Sequence, residues 1–148
     1  MRHLLIVDDE KALREMVAEG TGTFYETHTA VDAMDAIDVL EENTIDLAIV
    51  DVTMPGMNGF ELCARIKEEY EIPVIMLTAR SALNDKRQAF QAGTDDYITK
   101  PFEMEELLFR INAVLARYGS RDVLELGNVT VIEVGGQAVL GRQPTQTT

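Results

Sequence analysis

Three stretches of this chain are almost unbroken runs of aliphatic residues: "LLIV" at 4–7, "LAIV" at 47–50 and "PVIML" at 73–77. A strand on a half-wetted sheet alternates apolar and polar residues. A continuous run belongs to a strand covered on both faces, and that occurs in parallel sheets flanked by helices. Around these three runs lie five candidate strands, "HLLIVD" (3–8), "TFYETHT" (23–29), "IDLAIVD" (45–51), "IPVIMLT" (72–78) and "DDYITK" (95–100). Helical patterns separate them. Leu13, Met16 and Val17 point inward over 10–20; Ala33, Ala36, Ile37 and Leu40 over 32–42; Phe60, Leu62, Cys63 and Ile66 over 58–69; Ala89 and Phe90 over 84–92; and Leu107, Leu108, Ile111, Val114 and Leu115 over 103–118. Five β-α units in succession predict an α/β doubly wound sheet of five parallel strands, flavodoxin-like, in the order 2-1-3-4-5. Turn signals at "PGMNG" (55–59) and "AGTDD" (92–96) agree. Gly20 and Gly22 suggest an early end to the first helix.

After Tyr118 the pattern changes. Residues 1–118 form the main domain and 119–123 read as a linker. Residues 124–142 alternate around Gly135-Gly136, as a short β-rich extension does, and 143–148 have no apolar residue and are expected to be disordered. With 148 residues the chain has room for one core and a small appendage. No apolar run approaches the roughly 20 residues of a membrane span, and the N-terminal run is too short for a signal peptide. With a single cysteine, Cys63, an internal disulfide is excluded; a cytoplasmic location is expected. Cys63 sits at helical spacing and reads as a core residue rather than a nucleophile. The net charge is −13, nearly all of it on residues 1–118. That field repels a phosphate backbone, so this part of the chain is not expected to bind nucleic acid or a membrane.

The acids raise a separate question. Asp8 and Asp9 end the first strand, Asp51 the third and Thr78 the fourth, while Lys100 follows the fifth. In a parallel sheet every strand end opens at one edge, and the order 2-1-3-4-5 puts strands one and three at the point where connections reverse direction, the usual ligand crevice. Solvated strand-end acids are common. Three carboxylates gathered at one crevice instead suit a hard divalent cation, Mg²⁺ being the best match. Thr78 supplies a hydroxyl donor and Lys100 a mobile positive charge for a phosphoryl group; their ordinary roles are closing a strand and neutralising acids. A cis bond at Lys100-Pro101 would aim the lysine inward, although X-Pro bonds are mostly trans.

The segments "IVDDE", "DLAIVDVTMPGMNGFEL", "PVIMLTAR" and "AGTDDYITKPFEMEELLFRINAVL", in this order and spacing, resemble the receiver domain of bacterial two-component response regulators over residues 3 to about 118. The resemblance implies that Asp51 accepts a phosphoryl group from a sensor histidine kinase. It implies that Asp8 and Asp9 organise Mg²⁺ together with Asp51 and the backbone carbonyl of Thr53. Thr78 and Lys100 would contact the phosphoryl oxygens, and Tyr97 would change rotamer on activation. "DYITKPF" and the following helix, with Glu106, Arg110 and Arg117, resemble the OmpR/PhoB type. There the face made by the fourth helix, fifth strand and fifth helix dimerises through ion pairs, which Lys86 with Glu106 and Asp96 with Arg110 match. Asp95 would face Asn112 instead of a base. Residues 124–142 resemble the start of a winged-helix effector, without its recognition helix or wing, so DNA contact is expected only through a complete effector domain. By this reading the chain is a signalling phosphoacceptor, not an enzyme. Two alternatives are a phosphorylation-independent binding module and a Mg²⁺-dependent aspartyl phosphohydrolase; for the latter, Thr53 stands where a second acid would be needed.

Overall fold

A computed structural model describes residues 1–126, the stretch from 119 onward as backbone only. The elements are β1 (His3–Val7), α1 (Lys11–Thr21), β2 (Glu26–Ala30), α2 (Ala33–Glu42), β3 (Leu47–Val50), α3 (Gly59–Glu69), β4 (Val74–Thr78), α4 (Leu83–Gln91), β5 (Asp96–Thr99) and α5 (Met104–Leu126). All strand pairs are parallel, in the order β2-β1-β3-β4-β5. The predicted topology is therefore the observed one.

β1, β3 and β4 carry the core because both of their faces are covered. In register, Leu5, Val7, Ala48, Val50, Val74 and Met76 share one face. They pack with Ala33, Ala36 and Leu40 of α2, with Leu62, Cys63 and Ile66 of α3 and with Ala89 of α4. Leu4, Ile6, Leu47, Ile49, Ile75 and Leu77 alternate onto the other face and are equally buried. Burying one such side chain stabilises the fold by about 1.5–3 kcal/mol, before the entropy of ordering it is subtracted. α2 begins with the Asp32 carboxylate accepting from Asp35 N–H, and α3 with a reciprocal capping box between Asn58 and Glu61.

Several local expectations change. Strand β2 starts three residues late, because the Phe24 and Tyr25 amides both turn back to the Thr21 carbonyl. Helix α1 runs through Gly20; a β-carbon there would lie 2.5 Å from Cε of Met104, so the missing side chain makes room for a neighbour and does not end the helix. Met16 is 48% exposed and Phe90 55% exposed, contrary to the inward assignment. The inward stripe of α1 is the narrower Leu13–Val17–Thr21 line, and α4 turns Asp85 and Ala89 inward. Lys100-Pro101 is cis.

At the C-terminal end, α5 extends through 119–123, where a linker was expected, and on to Leu126. "RDVLEL" contains good helix formers, and Gly119 alone costs a helix only about 1 kcal/mol. Residues 127–142 of the expected β-rich segment, and the 143–148 tail, lie outside the described residues. The chain divides into two compact units, Met1–Ile111 and Asn112–Thr148; every predicted site residue falls in the first. Among the described residues no helix is long and apolar enough to cross a membrane.

Candidate functional site: an acidic crevice at the sheet edge

Three strand ends use one local device. The Asp8 carboxylate accepts from Glu10 N–H at 2.9 Å, the Asp51 carboxylate from Thr53 N–H at 3.3 Å, and the Thr78 hydroxyl from Arg80 N–H at 3.3 Å. In each case a side-chain oxygen takes the amide two residues on and turns the chain out of its strand. The polar residues at these three strand ends thus have a structural role before any chemistry is considered. The same turns set Asp8 and Asp51 side by side, since β1 and β3 are neighbours.

Ligand oxygens of Asp8, Asp9 and Asp51 lie within 4.8 Å of one another. Asp8 and Asp51 are buried and Asp9 is exposed, so the cluster opens to solvent on one side. Lys100 enters from the end of β5, placed there by its amide bonding to the Thr78 carbonyl at 2.9 Å. Its Nζ stands 3.0 Å from Asp8 Oδ2 and 3.2 Å from Asp51 Oδ2. One ammonium therefore serves two carboxylates and leaves the triad net negative.

The titration of these groups follows from that geometry. Burial pushes the Asp8 carboxyl above its ordinary value, against the pull of the Glu10 amide and of Lys100, and the Asp51 charge adds to the rise. Burial disfavours the Lys100 ammonium, but its bond to Asp8 and the charges of Asp51 and Asp8 outweigh burial and raise it. Lys100 is thus held charged. The Cys63 thiol, buried in the core, is pushed up to about 12 by burial and is no nucleophile.

Thr78 is buried at the end of β4, and Tyr97 is half-buried on the neighbouring strand β5. The Tyr97 hydroxyl donates to the Arg80 carbonyl at 2.5 Å. Thr53 follows Asp51 in the turn and is exposed. Three of the four residues of the expected dimer face, Asp96, Glu106 and Arg110, are already engaged within the chain. Arg110 holds both Asp96 oxygens, at 3.0 and 3.1 Å, and Glu106 at 3.0 Å. Asp95 pairs with Lys67 of α3 at 2.8 Å and accepts from Val74 N–H at 2.9 Å, so its charge is answered without residue 112.

Sequence reasoning missed two supports. Arg14 donates to the Asp8 carbonyl at 2.9 Å and clamps the turn that carries the acids; its place one turn into α1, behind an acidic strand end, was the available signal. Gly59 lets α3 lie against the third strand end, for a β-carbon there would stand 2.2 Å from the Asp51 carbonyl oxygen. The second "G" of "PGMNG" read only as a turn residue.

Residues 4–112 match the family described as the response regulator receiver domain. Among curated relatives, the heme response regulator HssR of Staphylococcus haemolyticus is 52% identical over 132 residues, covering 88% of this chain and 59% of its own. That of Staphylococcus aureus strain JH9 is 47% identical over 134 residues, covering 88% and 60%. The chain thus spans about three fifths of the curated relatives it matches. Among solved structures, the BeF3-activated DrrB receiver domain superposes with a TM-score of 0.73 at 34% identity, over 78% of this chain and 97% of that one. DrrB is described as a Thermotoga maritima OmpR/PhoB homologue. A two-component response regulator from Clostridium difficile, at 24% identity and TM-score 0.78 over 81% of this chain and all of that one, shares the fold.

Proposed function

The chain belongs to the response regulator receiver domain family, and from that premise we propose that Asp51 is its phosphoryl acceptor. The observation that supports this reading most directly is the cluster of Asp8, Asp9 and Asp51 oxygens within 4.8 Å, with the Lys100 ammonium lodged against two of them. Three carboxylates, one of them exposed, fit a hard cation that keeps part of its water shell. Asp8, Asp9, Asp51 and the Thr53 carbonyl would hold Mg²⁺, which, when bound, offsets the negative charge of the phosphoryl oxygens.

The remaining work falls to the chain's own residues. An Asp51 oxygen attacks the phosphorus of a phosphohistidine on a sensor kinase, or of a small acyl phosphate. The bond from phosphorus to the donor breaks, and its electron pair leaves with the donor. Lys100 slides from the carboxylates onto a phosphoryl oxygen, a transfer open to a flexible point charge. The Thr78 hydroxyl, whose oxygen now accepts from Arg80 N–H, turns its own proton to the new oxyanion. That movement opens space beside β4 for Tyr97, which releases the Arg80 carbonyl. The readout is the face of α4, β5 and the start of α5, where Leu83, Phe90 and Phe109 are exposed. We assign phosphorylation-dependent homodimerisation to this face, with Lys86 meeting Glu106 and Asp96 meeting Arg110 across it. The Asp96–Arg110 pair already exists within the chain, so dimerisation exchanges partners at little electrostatic gain, and the apolar residues supply the affinity. DNA output requires a complete effector domain. The names of the Staphylococcus relatives make a heme-responsive kinase the first upstream candidate.

The test is incubation with acetyl phosphate and Mg²⁺ followed by intact-mass measurement. A single added phosphoryl group, lost slowly and absent in Asp51→Asn, supports the switch. Multiple turnovers on simple phosphoesters indicate a hydrolase, and no mass gain indicates a phosphorylation-independent module.

A further inference from the structure

The chain contains only two histidines, and the fold brings them together. His3 opens β1 and His28 lies on β2. Register pairs His3 with Glu26 and Leu5 with His28, so His3, Glu26 and His28 share one face. The site stands at the amino end of β1, the opposite end from the acids. His3 Nδ1 and His28 Nε2 are 3.0 Å apart; the ring centroids are 5.2 Å apart and the planes 20° apart. With the nitrogens that close, a centroid separation of 5.2 Å means the rings meet edge to edge, nitrogen facing nitrogen, and not face to face. One ring donates and the other accepts. His3 is anchored from behind, its amide donating to the Asp46 carboxylate at 2.7 Å and its carbonyl accepting from Asp46 N–H at 2.8 Å.

We propose that His3 and His28 form a two-imidazole site for a borderline divalent transition metal ion of the Zn²⁺ class, binding across β1 and β2. Two nitrogens at about 2.0–2.1 Å from one ion stand roughly 2.9–3.4 Å apart for angles between square-planar and tetrahedral, and the observed 3.0 Å falls in that range. The donor ring moves its proton to its other nitrogen, so both facing lone pairs become free with no net change in protonation. Each ring then turns about its soft terminal torsion to aim at a common point. Water completes the shell on the solvent side of the half-buried rings. The half-burial of both imidazoles limits their freedom and lowers the ordering cost of binding. The negative net charge favours cation capture. Imidazole selects this ion class against Mg²⁺, which prefers oxygen, so the two ends of the sheet take different metals.

The experiment titrates ZnCl₂ into the full, untagged chain in excess Mg²⁺, which occupies the carboxylates of the acidic crevice. Calorimetry, thermal unfolding and the imidazole ¹⁵N signals are read together. One Mg²⁺-resistant equivalent is expected, with a raised unfolding midpoint and joint shifts of both histidine rings. His3→Gln and His28→Gln, each checked for native circular dichroism, should weaken zinc binding by about tenfold or more, since loss of even an outer-sphere partner costs that much. Absence of a Mg²⁺-resistant equivalent overturns the site. So does full affinity in either variant, or zinc uptake that leaves the native ring signals unmoved. Phosphorylation of Asp51 is measured separately in the same variants and is expected to persist, so failure of this site and failure of the switch reading are distinguishable.

Discussion

Replacing Lys100 with methionine keeps the aliphatic stem and removes the charge. The side chain is 16% exposed, and its two partners, Asp8 and Asp51, are 5% and 10% exposed. Removing one partner of a buried pair costs about 3–5 kcal/mol, because an uncompensated charge stays behind. Here two carboxylates are orphaned, but the crevice opens to water on the Asp9 side and Asp8 can take up a proton. We therefore expect a smaller cost than for a fully buried pair, about 2–3 kcal/mol near neutral pH. The pH dependence has a definite sign. In the native protein burial holds the Asp8 carboxyl above its ordinary value, and Lys100 pulls it back down. Without the lysine it rises further. A carboxyl raised in the folded state contributes stability that is full below the unfolded value, about 4, and is lost as pH climbs through the folded value. The deficit of Lys100→Met should thus be small near pH 4 and grow toward neutrality. Urea unfolding across that range measures it. Asp8→Asn in the Lys100→Met background should recover part of the loss, and Mg²⁺ should stabilise the single variant more than the native chain. A cost under about 0.5 kcal/mol at neutral pH, or a deficit that shrinks as pH rises, would refute the shared-cation reasoning.

Gly59→Ala drives a methyl group into the Asp51 carbonyl and the Val52 α-carbon, backbone atoms that cannot yield as a side chain does; a loss of about 3 kcal/mol or more is expected in urea unfolding, with reduced phosphoryl uptake. Asp95→Asn breaks the Lys67 pair and weakens the tie to Val74 N–H; it should cost about 1–3 kcal/mol while leaving the dimer dissociation constant unchanged in ultracentrifugation. Tyr97→Phe removes the hydroxyl from the Arg80 carbonyl, and chemical denaturation should show a loss of no more than about 1 kcal/mol, with faster hydrogen exchange confined to the loop after β4.

The sheet was readable in the sequence because β1, β3 and β4 are apolar on both faces, a pattern with few other uses. β2 is an edge strand with a half-wetted pattern, and its start depended on the Thr21 turn, which no periodicity encodes. Met16 and Phe90 were misplaced since three- and four-residue spacings also fit exposed apolar residues. The gathering of Asp8, Asp9, Asp51 and Lys100 was legible because parallel strands end at one edge, so position in the sequence translates into position in space. The partners of Asp95 and His3 lie on other elements, 28 and 25 residues away, and only the assembled sheet reveals them. The same holds for the in-chain engagement of Arg110 by Asp96.

The hydrogen bond from Tyr97 to the Arg80 carbonyl crosses from one strand to the segment leaving its neighbour. Arg80 is also the residue whose amide rests on Thr78 and whose guanidinium grips the buried Asp85 of α4. A single residue thus gathers three threads: its amide listens to the crevice, its carbonyl to the aromatic ring, and its side chain to the helix. A displacement of this segment is therefore felt at three places at once, which ties the strand end, the ring and the helix to one short stretch of backbone.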